Sequence, residues 1–202
     1  LIVFLLALIS FIVCASAITM PKRYELGANW GAFIEEEQDS MDVVFFGSSM
    51  AYCNVIPAII WENSGISSYV MAGPEQPLSI TYYYVKEMFR HQSPSAVMVE
   101  ISSIIYSQYA SDGATKANIG YMPYNFNRFG ATINAAPQSE WLGLFFPLYN
   151  YHDRWTKLTD DDYQIGLVGY DIDLLAGYNF LSQSNPQPEM RERSFEQTAE
   201  EY

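Results

Sequence analysis

Histidine and cysteine are scarce in this chain, with 2 of each in 202 residues, and positive charge is short as well: 10 Lys and Arg stand against 23 Asp and Glu. So few cysteines exclude a disulfide framework. Cys14 and Cys53 could pair only if the apolar segment around Cys14 left a bilayer, and Cys53 reads as a small buried residue. No Cys/His cluster has the spacing of metal ligands, so neither a metal nor a cofactor is expected. A net charge of -13 and a pI near 4.3 exclude nucleic acid, whose phosphates need a basic surface, and argue against any large anionic partner. The acidity is that of a solvated surface, and the run Glu35-Glu36-Glu37 with Asp39 is read the same way.

An initiator methionine is also absent, since the chain opens inside an apolar run. Residues 1–20 carry no charge, and Ser10, Ser16 and Thr19 are their only polar interruptions. That length crosses a bilayer, which makes the membrane the first expected partner. The rival is a cleaved signal peptide, because Ala15-Ser16-Ala17 has the small-x-small form of a cleavage site. The run continues to Met20, which favours a retained anchor. Lys22 and Arg23 follow at once and by themselves would hold that end in the cytoplasm. Residues 21–41 link membrane and domain, and 28–37 can form a short amphipathic helix with Trp30, Phe33 and Ile34 on one face.

The chemistry concentrates in Asp42-Val43-Val44-Phe45-Phe46-Gly47-Ser48-Ser49-Met50. Four large apolar residues ending in a glycine and two serines read as a buried parallel strand whose carboxyl end carries hydroxyls. Ligand sites in open α/β sheets lie just past such ends, which puts a candidate nucleophile, Ser49, at the mouth of the sheet. A core strand followed by a plain Gly-Ser turn accounts for the same residues. A helix near 57–63 with Pro57 in its first turn and Gly65 closing it comes next, then an apolar strand ending at Gly73. After the turn Pro74-Glu75-Gln76-Pro77, a helix over about 78–91 places Tyr82, Val85, Met88 and Phe89 at core spacing, and a third strand begins at Ala96. This alternation predicts a parallel sheet with right-handed crossovers, and a site at a switch point beside Ser49 puts the first strand in the middle, in the order 2-1-3.

Phe46-Gly47-Ser48-Ser49, with the helix and the strand ending at Gly73, resembles the SGNH/GDSL-type hydrolase superfamily. The nearer resemblance is to its membrane-anchored bacterial branch, the alginate O-acetylation proteins and the D-alanyl-transfer protein of teichoic acid synthesis. It spans about residues 40–110. The resemblance implies a flavodoxin-like three-layer α/β fold behind an N-terminal transmembrane helix, in a single-pass protein whose main domain is extracytoplasmic. It makes Ser49 the nucleophile, with the N–H groups of Ser49 and Gly73 as oxyanion hole; beside these, Ser48, Gln76, Glu100 and His152 are candidate substrate-contacting positions. The implied partners are an acylated glycan and a membrane-bound O-acyltransferase.

Two departures accompany it. Glu100, Ser102 and Ser103 stand where the family offers an asparagine after its third strand, and no Asp-x-x-His occurs in these residues. The chain therefore reads as a piece of a longer protein whose acid-histidine pair lies elsewhere. Within the domain at 42–182, the stretch 104–182 reads as an insertion that covers or shapes the cleft. Core packing or membrane contact would each account for its Trp141-Leu142-Gly143-Leu144-Phe145-Phe146, with packing preferred. His152 could serve Ser49 as base, since a triad is set by geometry rather than chain order, but a structural or substrate-contacting role is preferred. His91 ends a helix and is not a candidate. Residues 183–202 read as a polar linker and the start of a charged helix. Two functions follow: a serine esterase or O-acyltransferase acting on cell-surface polysaccharide, or a non-catalytic SGNH-like partner of a membrane acyl-transfer assembly, which Glu100 favours.

Overall fold

The computed structural model describes residues 1–21, 29–105, 112–163 and 175–180; the tail at 183–202 and the pair Lys22 and Arg23 lie outside them. Its centre is a parallel sheet of β1 (Val43–Gly47), β2 (Ser68–Ala72) and β3 (Ala96–Val99) in the expected order β2-β1-β3. Val44 stands opposite both Tyr69 and Val97. The chain leaves β1 towards one side to form β2, then crosses back over β1 to form β3. Two right-handed crossovers in opposite directions must put their helices on opposite faces.

They do. The first crossover carries α3 (Ser49–Asn54) and α4 (Pro57–Ser64), with Pro57 in the first turn of α4 and Gly65 closing it at φ 67°. On that side Val70 and Ala72 pack with Ala51 and Tyr52, and Phe45 lies against them. The second carries α5 (Leu78–Met88). There Val44, Phe46, Tyr69 and Met71 meet Ile80, Tyr84 and Met88, together with Trp30 and Phe33 of the short helix α2 (Trp30–Glu35). Strand residues thus alternate between two apolar layers, the period-2 pattern of a sheet covered on both faces.

Helix α5 is rotated from the face that its spacing predicts. Ile80, Thr81, Tyr84, Glu87 and Met88 are buried, whereas Tyr82 and Phe89 are exposed. Two polar interactions set the rotation. The Tyr84 ring lies edge-on to Trp30 at 4.9 Å while its hydroxyl donates to Asn118 O at 2.7 Å. Glu87 accepts from Asn127 Nδ2 at 2.7 Å and pairs with Arg90 and His91, which makes its burial tolerable.

The described part of the stretch read as covering or shaping the cleft packs largely on α5. It forms α6 (Asp112–Ile119), α7 (Phe126–Ala135), α8 (Trp141–Phe145) and α9 (Pro147–Tyr151), and contributes Ile119, Met122, Ala131 and Leu144 to the α5-side core. Asn125 caps α7 by accepting from the N–H groups of Asn127 and Arg128. Arg128 is buried and donates to the carbonyls of Gly120, Met122 and Leu144 and to the Tyr124 hydroxyl, with its guanidinium 3.8 Å above the Tyr124 ring. Burial, partly offset by the charges of Tyr124 and Tyr151, lowers its pKa.

The N-terminal apolar run is one helix, α1 (Ile2–Thr19), long and apolar enough to cross a membrane. Its second half lies against the domain, with Ile12 and Ala15 half-buried. Ser16 and Thr19 are buried, Met20 packs on Tyr121 and Tyr151, and Arg154 donates to the Thr19 carbonyl while pairing with Asp162 at 3.0 Å. Leu1 to Leu6 stand in the open.

Candidate functional site

The reversal in strand order falls between β1 and β3, and in open α/β folds the crevice at such a switch point receives the ligand. Here the end of β1 meets the end of β3 through one carboxylate. Ser48 N–H and Ser48 Oγ–H both donate to Glu100 Oε2, at 2.9 and 2.7 Å, and Ser103 Oγ donates to the same oxygen at 3.3 Å. Ser102 Oγ donates to Oε1. Ser48 Oγ also accepts from Met50 N–H and so caps α3.

That arrangement separates the two serines. Ser48 is fully buried and has both of its donors committed. Ser49, the first residue of α3, is half-buried, and among the described residues its hydroxyl makes no hydrogen bond. As first helical residue its N–H has no partner within the helix. Cys53, a turn further on, is not a competing nucleophile, because burial raises its thiol pKa and keeps it protonated.

The remaining expected site residues fall elsewhere. Gly73 does lie beside β1, but its N–H donates to Gly47 O at 3.2 Å, so that donor is engaged in the sheet and not turned to an oxyanion. Gln76, read as substrate-contacting, is buried, with Nε2 donating to Thr81 Oγ1 at 3.0 Å. Like Ser48 it offers a substrate no surface in this conformation. His152 is exposed in the 3-10 turn His152–Thr156 beside α1, with Nδ1 on the Tyr149 carbonyl at 2.9 Å. His91 follows α5 and precedes β3, which places it at the amino edge of the sheet, opposite Ser49. Among the described residues no hydrogen bond joins either imidazole to Ser49.

Asn118 escaped the sequence reading. It is fully buried under the turn after β2, where Nδ2 donates to Pro74 O and Ala114 O, each at 2.8 Å. A Cβ on Gly73 would overlap its Oδ1 and approach Gln76 Oε1 to 3.3 Å, so a glycine is required there. Both Nδ2 protons are used, so Asn118 locks the turn and has no free donor for an oxyanion. Nothing in the sequence marks it, because it belongs to a segment far along the chain.

No family model, no curated protein and no solved structure matches this chain. Any assignment therefore rests on the geometry of Ser49 and on the residues that resemble the SGNH motif.

Proposed function

We propose that this chain is the nucleophile-bearing part of a membrane-anchored serine esterase or O-acyltransferase acting on an acylated cell-surface polysaccharide. On this reading it has the SGNH-type, flavodoxin-like fold and is held in the cell membrane by α1 as a single span, with the main domain extracytoplasmic. The supporting observation is the unequal treatment of the two serines: Ser48 is locked under Glu100, whereas the Ser49 hydroxyl stands unbonded at the switch point. In this chemistry Ser49 Oγ attacks the acyl carbonyl, its proton passes to a base, and the Ser49 N–H donates to the oxyanion. On this reading the base is neither imidazole as placed here, since among the described residues no hydrogen bond joins His91 or His152 to Ser49.

The test is labelling of membranes carrying the protein with a fluorophosphonate probe. Label that disappears in Ser49→Ala and persists in Ser48→Ala is the expected result; label that survives Ser49→Ala removes the nucleophile. One observation favours a second reading, a non-catalytic partner of a membrane-bound O-acyltransferase: the Gly73 N–H is already spent on Gly47 O. Absent labelling together with co-purification of an acyltransferase would select it.

A further inference from the structure

Among the described residues a cavity of about 390 Å³ lies between α1 and the α7–α9 unit. Ile9, Val13 and Ser16 form one wall, Tyr124, Phe145 and Phe146 the other, and no charged residue lines it. The helix is inside-out for a water-soluble protein. Ser16 and Thr19 point into the protein while Leu5, Leu8, Ile9 and Val13 are largely exposed, the distribution expected where lipid is the outer solvent. Beside the cavity the Phe129 ring lies 5.4 Å from that of Phe145, and Phe126, Leu142 and Tyr149 on α7, α8 and α9 are exposed, Phe126 to 91%. Exposed Phe and Leu side chains of this kind insert at the headgroup/acyl boundary of a bilayer.

Depth follows from helix geometry. At 1.5 Å per residue α1 is roughly 27 Å long and it is uncharged throughout, a length comparable to a hydrocarbon core of about 30 Å. The turns from Ile9 to Ser16, which face the cavity, then lie inside the bilayer. The facing edge of α8 and α9 must be immersed with them, and the cavity opens to lipid tails rather than to water.

We propose that this cavity is a binding site for one acyl chain of a membrane lipid, held between α1 and an aromatic foot of the domain sunk into the same leaflet. The inference rests on the membrane-anchored reading above. It is continuous with the lipid-facing surface of α1, and the uncharged walls match a hydrocarbon occupant. A chain seated there fastens the domain to the bilayer surface and fixes the direction in which Ser49 faces.

The experiment reconstitutes the chain in phosphatidylcholine vesicles that carry a diazirine on one acyl chain, followed by irradiation and peptide mapping. Adducts are expected on α1 and on the peptide containing Tyr124 or Phe145 and Phe146. Val13→Trp, which fills the cavity from a half-exposed helix position, should lower the foot adduct by about tenfold or more while pelleting with membranes is unchanged. Adducts on α1 alone would overturn the acyl site and leave the anchor standing; absence of adducts on α1 as well would remove both. Chain-to-chain crosslinks through Phe145 and Phe146 in place of lipid adducts would assign the cavity to a second copy and likewise overturn the proposal.

Discussion

Ser48 gives its N–H and its hydroxyl to the same oxygen of Glu100, at 2.9 and 2.7 Å, and so clamps the carboxyl end of β1 to that of β3. Gly47 makes the clamp possible: a Cβ there would stand 2.5 Å from Glu100 Cβ and 2.9 Å from Glu100 Oε2, with φ at 157°. The two strands that flank the switch point are therefore tied by side chains, and Ser49 is presented from the tie.

Gly47→Ala should accordingly do more harm than Glu100→Gln. The alanine must push Glu100 away and break both Ser48 bonds, leaving a buried hydroxyl without an acceptor, at a cost of about 2–3 kcal/mol. In thermal unfolding that is a fall of roughly 4–10 °C for a domain of this size. Glu100→Gln keeps one acceptor oxygen for Ser48 and should cost about 1 kcal/mol. Equal melting temperatures for the two variants would show that the clamp does not set the geometry at Ser49.

Arg128 holds the helical unit together in the same manner, by giving one side chain to four acceptors on the 120–124 turn and the end of α8. Arg128→Met keeps much of the volume but orphans three buried carbonyls, so a loss of about 3 kcal/mol is expected in denaturant unfolding. Because Tyr124 loses its stacked guanidinium, the wall of the α1 cavity should loosen as well. Unchanged stability would mean that water replaces the guanidinium without cost.

Tyr84→Phe addresses the rotation of α5. It removes a donor to Asn118 O at 2.7 Å in a buried position, where the hydroxyl pKa is raised well above its usual value by burial. A loss of about 1–2 kcal/mol is expected, with the fold retained. A neutral outcome would show that apolar packing alone fixes the helix face.

These residues mark where the sequence was legible. Val43-Val44-Phe45-Phe46, Pro57, Gly65 and Gly73 announce strands, a helix start and turns by local rules, and the expected order β2-β1-β3, with β1 at the switch point, is the one found. What escaped is set by partners distant in sequence. The face of α5 is chosen by Trp30 and Asn118, and Gln76 is drawn inward to Thr81. The engagement of the Gly73 N–H by Gly47 O is a tertiary fact that no motif encodes. In the stretch 104–182, read as covering or shaping the cleft, the apolar stripe Phe126, Phe129 and Ile133 of α7 stands exposed while Ala131 and Thr132 pack inward, so the commitment of this helix to α5 was invisible. Of Trp141-Leu142-Gly143-Leu144-Phe145-Phe146, Leu144 enters the core as the packing reading expects, whereas Leu142 and Phe146 are exposed.

The docking of α1 should depend on pH through Asp162. Burial pushes its carboxyl pKa up, but hydrogen bonds from Thr159 and from the Arg154 guanidinium outweigh this and hold it below the ordinary value. A carboxyl depressed in the folded state contributes stability above its unfolded value, near 4, and loses it as the pH falls through the lower folded value. The contact in which Arg154 reaches the Thr19 carbonyl while bound to Asp162 should therefore be constant from neutral pH down to about 5 and weaken only below about 4. Spin labels on Cys14 and on a Lys157→Cys variant, in a Cys53→Ser background, read this directly. The distance distribution should be narrow at neutral pH and broaden in acid, whereas Asp162→Asn should be broad throughout and insensitive to pH. A distribution that stays narrow at about pH 3 would show that Met20, Tyr121 and Tyr151 hold the helix without the ion pair.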